Sequence, residues 1–263
     1  MAEISARDVK ALRDRTGAGM MDCKRALVEA DGDPERAAQL LREWGLIKAD
    51  DRGDRANPEG AVALAVGDRT AAIAELKAET DFSAKSEDFV SCVRAIAEAV
   101  LDDGEQAAEQ FSDRIDQLKV TKKENIELGR IVRFESDKGD VLDTYLHVQD
   151  GRGTNAVMVE LAGGSQELAH EVALHIAFAK PVALTREEIP SGEVEKARAS
   201  FEGLTRAEGK PEQAIPKIVE GRMNAWYKER VLPEQGLFGE KETVQQRLGE
   251  AKIVRFAQVY IGE

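Results

Sequence analysis

Residues 61–78 constrain the fold of this chain more than any other part of the sequence. Two apolar runs, AVALAV and RTAAIAELKA, flank a Gly-Asp pair, and this arrangement is typical of a β-hairpin. The residues that follow change to helical spacing, with Phe89, Val93, Ile96 and Val100 on one face. The sequence therefore predicts a hairpin that leads into a helix, which places the chain in the α+β class.

Residues 1–50 have helical periodicity. Ser5 can cap a first helix, an RTGAG segment separates it from a second, and Pro34 suits the start of a third, which Gly45 is expected to end. Three short helices predict a ubiquitin-associated-like bundle. Because the core of such a bundle is small, a module that presents a surface to a partner is favoured over a catalytic cleft.

A polar linker is predicted at residues 51–60, where breakers and charges dominate. A core N-subdomain is predicted over residues 61–135 and a core C-subdomain over 136–263. Each is expected to have a small antiparallel sheet with packed helices. The second contains a strand meander, a helix ending before Pro181, a helical insertion and a closing strand.

Composition excludes several classes of function. A chain of 263 residues suggests two or three modules, and its net charge of −13 disfavours direct contact with nucleic acid. No apolar run approaches the roughly 18 residues of a membrane span. Cys23 and Cys92 are far apart and have no CxxC spacing, which favours a reducing compartment. We therefore expect a cytoplasmic protein without membrane contact.

Two motifs resemble those of enzymes but lack the spacing or context that the chemistry requires. His170 and His175 are five positions apart, so a helix turns one roughly 140° from the other, whereas zinc proteases place their histidines at i and i+4. The GRGTNA segment precedes a strand-like run, which favours a hairpin turn over a dinucleotide site. The sequence predicts no catalytic residue, no metal site and no cofactor.

The second helix carries adjacent methionines, Met20 and Met21, followed by Lys24. Successive helical residues point about 100° apart, so the two methionines cannot face the same core. Methionine adapts to partner grooves, and a lysine one turn away could add a charge there. Core packing with a solvated lysine and contact with a partner both remain open on this pattern.

Two longer motifs, in this order, resemble the elongation factor Ts family of guanine-nucleotide exchange factors. These are LRDRTGAGMMDCKRAL at residues 12–27 and ELKAETDFSAK at residues 75–85. The resemblance continues through KENI, YLH, EVALHIAFAKP and GKPEQAIPKIVEGRM, so it covers nearly the whole chain.

The resemblance implies a translation factor that promotes GDP release from elongation factor Tu and that is not an enzyme in its own right. It implies that a turn, Thr80, Asp81, Phe82 and Ser83, enters the GTPase domain and disturbs magnesium coordination. It also assigns partner contacts to Met20, Met21 and Lys24. The same resemblance places His147 against the third, β-barrel domain of elongation factor Tu.

The chain departs from the family pattern at several positions. Lys77, Ala78 and Ser83 are expected to alter the rim of the insertion turn, and Lys122 and Lys123 replace a pair that often precedes ENI. A C-terminal helix of some members has no counterpart after the last strand, so its contacts are expected to be absent or replaced. The altered turn, with Lys77, Ala78 and Ser83, keeps an alternative open, an interaction protein that binds the GTPase or another translation factor without promoting exchange.

Overall fold

The computed structural model describes residues 4–50, 53–137 and 139–262, and side chains are not described for residues 46–50. Residues 51 and 52 of the predicted linker lie outside the described part. The described helices are α1 Ala6–Thr16, α2 Met20–Glu29, α3 Pro34–Asp50, α4 Asp81–Ala84, α5 Glu87–Asp103, α6 Ser112–Lys122, α7 Gln166–Ala179, α8 Ser191–Ala207, α9 Ile215–Lys228 and α10 Val244–Leu248. The described strands are β1 Glu59–Val66, β2 Thr70–Ala78, β3 Glu127–Glu135, β4 Asp140–Gln149, β5 Arg152–Ala162 and β6 Lys252–Tyr260. The predicted α+β class is confirmed.

The described residues fall into two compact units, one drawn from residues 1–134, 146–156 and 259–263 and the other from 135–145 and 157–258. The sequence predicts two small sheets, whereas the structure has one sheet in the order β3-β2-β1-β5-β4, with β6 beside β5. The long strands β4 and β5 contribute residues to both units. The predicted meander is wrong for β3, which pairs with β2 rather than β4.

The central hairpin forms as the sequence predicts. β1 and β2 pair in an antiparallel register from Glu59 opposite Ala78 to Val66 opposite Ala71. On the other side β1 meets β5, where Val62 lies opposite Gly153. A Cβ atom at Gly153 would lie 2.3 Å from the carbonyl oxygen of Val62, so only glycine allows this approach. The GRGTNA segment accordingly forms the turn from β4 to β5 and the first residues of β5.

Helix α5 covers the β1-β2 hairpin and closes the core of the first unit. The four residues predicted for its inner face are all buried, and Phe89 is among the largest fully buried side chains. Alanines of both strands, including Ala63 and Ala74, belong to the same apolar cluster. The core of the unit therefore lies directly behind the segment that joins β2 to α5.

The three N-terminal helices pack around Leu12, Cys23, Leu27 and other buried side chains. Ser5 caps α1 with a reciprocal bond to Asp8, as its sequence indicates. The expected end of α3 at Gly45 is wrong, because the helix continues to Asp50. A Cβ atom at position 45 would lie 2.7 Å from the side chain of Val120. Gly45 therefore permits close contact between α3 and α6 instead of ending the helix.

The core of the second unit contains a buried histidine in a fixed tautomer. His175 is fully buried on α7, and its Nδ1 accepts a hydrogen bond from the backbone N–H of Phe238 at 3.0 Å. The Nε2 atom therefore carries the proton and donates it to Oε1 of Gln235, also at 3.0 Å. Phe238 has a φ of +49°, so these contacts hold a residue in the left-handed region. Burial lowers the pKa of His175.

We expect the free energy of unfolding to decrease as the pH is lowered from 6.5, the ordinary pKa of histidine. The unfolded state gains a proton there, while the native state resists it until the pH reaches the lowered pKa of His175. Urea unfolding from pH 7.5 to 5.5 would measure this loss, with a slope of at most about 1.36 kcal/mol per pH unit from one proton. The variant His175→Gln is expected to lose that part of the slope, and identical slopes in the two proteins would contradict the assignment.

Candidate functional site

The turn between β2 and α5 exposes one aromatic ring on a single turn of helix. Thr80 is the N-cap of α4, and Phe82 on this helix is 85% exposed. The next two residues, Ser83 and Ala84, are buried. Successive helical residues point in different directions, so this turn is anchored by Ser83 and Ala84 while the ring of Phe82 points outward.

Glu124 fixes this turn from the loop that follows α6. One carboxylate oxygen, Oε2, accepts from the backbone N–H of Thr80 at 3.1 Å. The other, Oε1, accepts from the hydroxyls of Thr80 at 2.7 Å and Ser83 at 2.6 Å. Charge-assisted hydrogen bonds of this length are stronger than those between neutral groups. One carboxylate thus binds the backbone and hydroxyl of Thr80 before Phe82 and the hydroxyl of Ser83 after it.

Lys85 contacts the same turn on its other side. Its Nζ lies 2.8 Å from a carboxylate oxygen of Asp81 and 3.1 Å from one of Asp150. Lys85 lowers the pKa of Asp81, mainly through this hydrogen bond, and Arg152 adds a smaller effect in the same direction. Hydrogen bonds to Asp81 and Asp150 raise the pKa of Lys85. Both partners are therefore charged at neutral pH.

Asp150 lies in the turn between β4 and β5 and therefore links the Phe82 turn to that hairpin. Arg152 follows in β5, where its guanidinium donates to the carbonyl of Gly60 and lies 2.8 Å from Glu59. His147 is exposed near the end of β4, three positions before Asp150. The structure thus brings the turn and the strand that carries His147 together through one ion pair.

The exposed face of α2 carries the other predicted contact residues. Met20 is 56% exposed and Met21 is 75% exposed, and Lys24 is exposed beside them. Neither methionine packs in the core, which Cys23, Ala26 and Leu27 form from the opposite face. Val28, one turn beyond Lys24, extends this apolar surface. The interpretation of the methionines as core residues is wrong.

Most of the departures from the family pattern have structural roles that the sequence does not reveal. Ala78 and Ser83 are buried, so these two do not lie on the rim of the turn. Lys122 forms an ion pair with Asp88 at 2.8 Å. Lys123 ends α6 in the left-handed conformation, with a φ of +61°. Four of the altered residues therefore lie in the interior or at the end of α6.

The two histidines of α7 have separate surroundings. His170 lies 3.0 Å from a carboxylate oxygen of Asp143, whereas His175 is buried against Gln235. Among residues 4–50, 53–137 and 139–262, no cluster of three or more histidine, cysteine or acidic side chains could hold a metal ion.

Cys23 and Cys92 are buried free thiols, and burial raises the pKa of each.

Sequence reasoning does not single out four residues of the candidate site, Glu124, Asp150, Arg152 and Val28. Glu124 lies 44 positions from Thr80 and 41 from Ser83, so no local pattern could associate them. Lys85 carried a signal, because an acidic and a basic residue at i and i+4 of a helix pair readily. Val28 lies four positions after Lys24, and this helical spacing indicates that the two share one face of α2.

The described site thus consists of an exposed aromatic ring on a hydrogen-bonded turn and a separate helix face that carries two exposed methionines. The family model described as elongation factor TS matches residues 79–263. The chain belongs to the elongation factor Ts family. This family implies, in general terms, a nucleotide-exchange factor for elongation factor Tu.

Curated relatives support the same family over the full chain. Elongation factor Ts of Deinococcus radiodurans is 41% identical over 265 residues, which cover 97% of this chain and 98% of that protein. The proteins of the same name from Acidothermus cellulolyticus and a Nocardioides species are 41% and 43% identical, and each alignment covers 100% of both chains.

In the part of the chain that the structure describes, no helix has the length and apolar character needed to cross a membrane.

Proposed function

We propose that this protein releases GDP from elongation factor Tu by inserting the turn formed by Thr80, Asp81, Phe82 and Ser83 into the GTPase domain. The observation that carries the proposal is the ring of Phe82, which is 85% exposed although Glu124 binds the backbone N–H of Thr80 before it and the hydroxyl of Ser83 after it. An exposed ring on fixed backbone can enter a partner without first becoming ordered. It therefore suits the task of a wedge.

Asp81 acts next to the ring. Its carboxylate is charged and is already paired with Lys85. In the proposed complex it contacts an element of the GTPase that Phe82 displaces, and this displacement disturbs the coordination of magnesium. Magnesium demands nearly octahedral geometry, so a small shift of its ligands weakens the binding of GDP.

Further contacts provide the affinity that the turn alone cannot. We assign Met20, Met21 and Lys24 to the GTPase and His147 to the third, β-barrel domain of elongation factor Tu. Residues 1–50 act as a ubiquitin-associated-like binding module, residues 51–60 as its linker, and residues 61–135 and 136–263 as the two parts of the core. The protein works in the cytoplasm, binds no nucleic acid and needs neither a catalytic residue nor a cofactor.

The proposed activity is a coupling of two binding equilibria. If this protein weakens GDP binding by some factor, GDP must weaken its binding by the same factor. Burial of Phe82 contributes at most about 1.5–3 kcal/mol, and a tenfold change in affinity corresponds to about 1.4 kcal/mol. The ring therefore accounts for a change of about 10- to 100-fold in GDP affinity. The contacts of α2 and His147 must supply any larger change.

Release of fluorescent GDP from purified elongation factor Tu tests this function. In stopped flow, the unaltered protein is expected to raise the release rate with increasing concentration until the rate saturates. A protein that only binds the GTPase would form a complex, visible by size-exclusion chromatography, yet leave the release rate at its spontaneous value. That second outcome would contradict the proposed function and support an interaction protein without exchange activity.

A further inference from the structure

We propose that Glu124 is a positioning residue for exchange, which holds the Phe82 turn in the conformation that enters the GTPase. This inference rests on the proposed function, because it concerns how the wedge is kept in place. Glu124 does not itself need to contact the partner. Its effect passes through the backbone and hydroxyl groups that it fixes at Thr80 and Ser83.

The contacts of Glu124 form a closed network around the turn. Both carboxylate oxygens are used, by the backbone N–H of Thr80 and by the hydroxyls of Thr80 and Ser83. The Thr80 hydroxyl also accepts from the backbone N–H of Ser83 at 3.4 Å. The backbone N–H groups and hydroxyls of Thr80 and Ser83 are therefore bound, directly or through one hydroxyl, to a single side chain.

A second carboxylate makes the reverse contact and holds Glu124 in place. Glu79, at the end of β2, accepts from the backbone N–H of Asn125 at 2.6 Å, while Glu124 accepts from the backbone N–H of Thr80. Two neighbouring pairs, residues 79–80 and 124–125, thus exchange carboxylate-to-amide bonds. The buried side chain of Asn125 also donates to the carbonyls of Gly53 and Arg55 at 3.1 and 2.8 Å.

The need for such a clamp follows from the exposure of the ring. A buried side chain is ordered by its neighbours, but the ring of Phe82 is mostly in water. Its position before contact must therefore come from the backbone that carries it. Fixing a loop in its bound conformation reduces the entropy lost on association. A loose turn would still allow binding through α2, but Phe82 would displace the elements around the magnesium ion less effectively.

A positioning role and a merely structural role of Glu124 have different kinetic consequences. Loss of a structural hydrogen bond would lower the stability of the fold and the amount of active protein. Loss of a positioning residue lowers the maximal rate of GDP release at saturating protein, while the half-saturating concentration changes little. The maximal rate and the half-saturating concentration come from the same stopped-flow titration.

The main test is Glu124→Ala with fluorescent GDP on purified elongation factor Tu. We expect the maximal release rate to fall about tenfold, which corresponds to about 1.4 kcal/mol, and the half-saturating concentration to stay within about threefold. The matched control is Glu127→Gln, because Glu127 is a nearby carboxylate that accepts from Asn57 instead of the turn. This control is expected to leave the release rate unchanged.

A pair of substitutions at Thr80 decides the question if Glu124→Ala does not fold. Thr80→Val keeps the shape of the side chain but removes the hydroxyl that Glu124 accepts from, whereas Thr80→Ser keeps the hydroxyl. We expect Thr80→Ser to release GDP at least threefold faster than Thr80→Val. Equal rates in the two variants would overturn the inference.

A double-mutant cycle distinguishes failure of this inference from failure of the proposed function. In a Phe82→Ala background, Glu124→Ala is expected to lower the maximal rate by less than twofold, because there is no ring left to position. A full tenfold loss in that background would show that Glu124 acts by another route, which overturns the inference but leaves the wedge intact. An unchanged rate for Phe82→Ala alone would overturn both.

Discussion

Phe82→Ala is expected to slow the maximal rate of GDP release from elongation factor Tu by about 10- to 100-fold. The range follows from the roughly 1.5–3 kcal/mol that burial of a phenylalanine side chain contributes, at about 1.4 kcal/mol for each tenfold change. The complex should still form, because the contacts assigned to Met20, Met21 and His147 remain. Stopped-flow release of fluorescent GDP measures the rate, and size-exclusion chromatography detects the complex.

The stability of this variant is the first control. Because Phe82 is mostly in water, its removal should leave the urea midpoint of the free protein nearly unchanged. Val66→Ala provides the second, since Val66 is 59% exposed at the far end of β1 and has no assigned contact. It should release GDP at the unaltered rate. A Phe82→Ala protein that exchanges as fast as the unaltered protein would end the wedge proposal.

Phe89→Ala, unlike Phe82→Ala, should greatly lower the stability of the protein. Phe89 is fully buried beneath the β1-β2 hairpin, and substitutions of a buried phenylalanine by alanine typically cost about 3–5 kcal/mol. This loss is a large part of the roughly 5–15 kcal/mol by which folded proteins are usually stable. Urea unfolding followed by circular dichroism would measure it in the unit that contains α5.

The milder variant Phe89→Met keeps the prediction testable if Phe89→Ala does not fold. Methionine fills most of the same space, and we expect it to cost about 1–2 kcal/mol. Where folded protein remains, exchange by these variants should scale with the folded fraction. An unchanged urea midpoint for Phe89→Ala would show that the ring is not a core residue.

The two phenylalanines also show how far local sequence could predict the site. Helical spacing from Phe89 to Val100 predicts the buried face of α5, and the structure confirms it. The position of Phe82 between a strand and a helix marks the turn, and the ring is exposed there. The local sequence therefore predicts the buried face of α5 and the place of the turn, because both depend on a few neighbouring residues, whereas the exposure of Phe82 follows only from the family resemblance.

Other expectations failed where a side chain meets a distant segment. Gly45 is typical of a helix end, yet α3 continues to Asp50, and the missing side chain at Gly45 leaves room for Val120 of α6. The family pattern predicts Ser83 on the rim of the turn, but its side chain is buried and its hydroxyl donates to Glu124. The pairing of β3 with β2 was likewise missed, because neighbouring strands in sequence need not be neighbours in a sheet.

By itself, the sequence determined the α+β class, the β1-β2 hairpin, the capped start of α1, the buried face of α5 and the place of the turn that carries Phe82. Periodicity, caps and turn residues act over a few positions, so they can be read without knowledge of the fold. Only the tertiary structure decided that Glu124 holds that turn and that Lys85 also pairs with Asp150. Residues far apart along the chain come together through packing and sheet order, and the hydrogen bonds they form then depend on distances that no local pattern specifies.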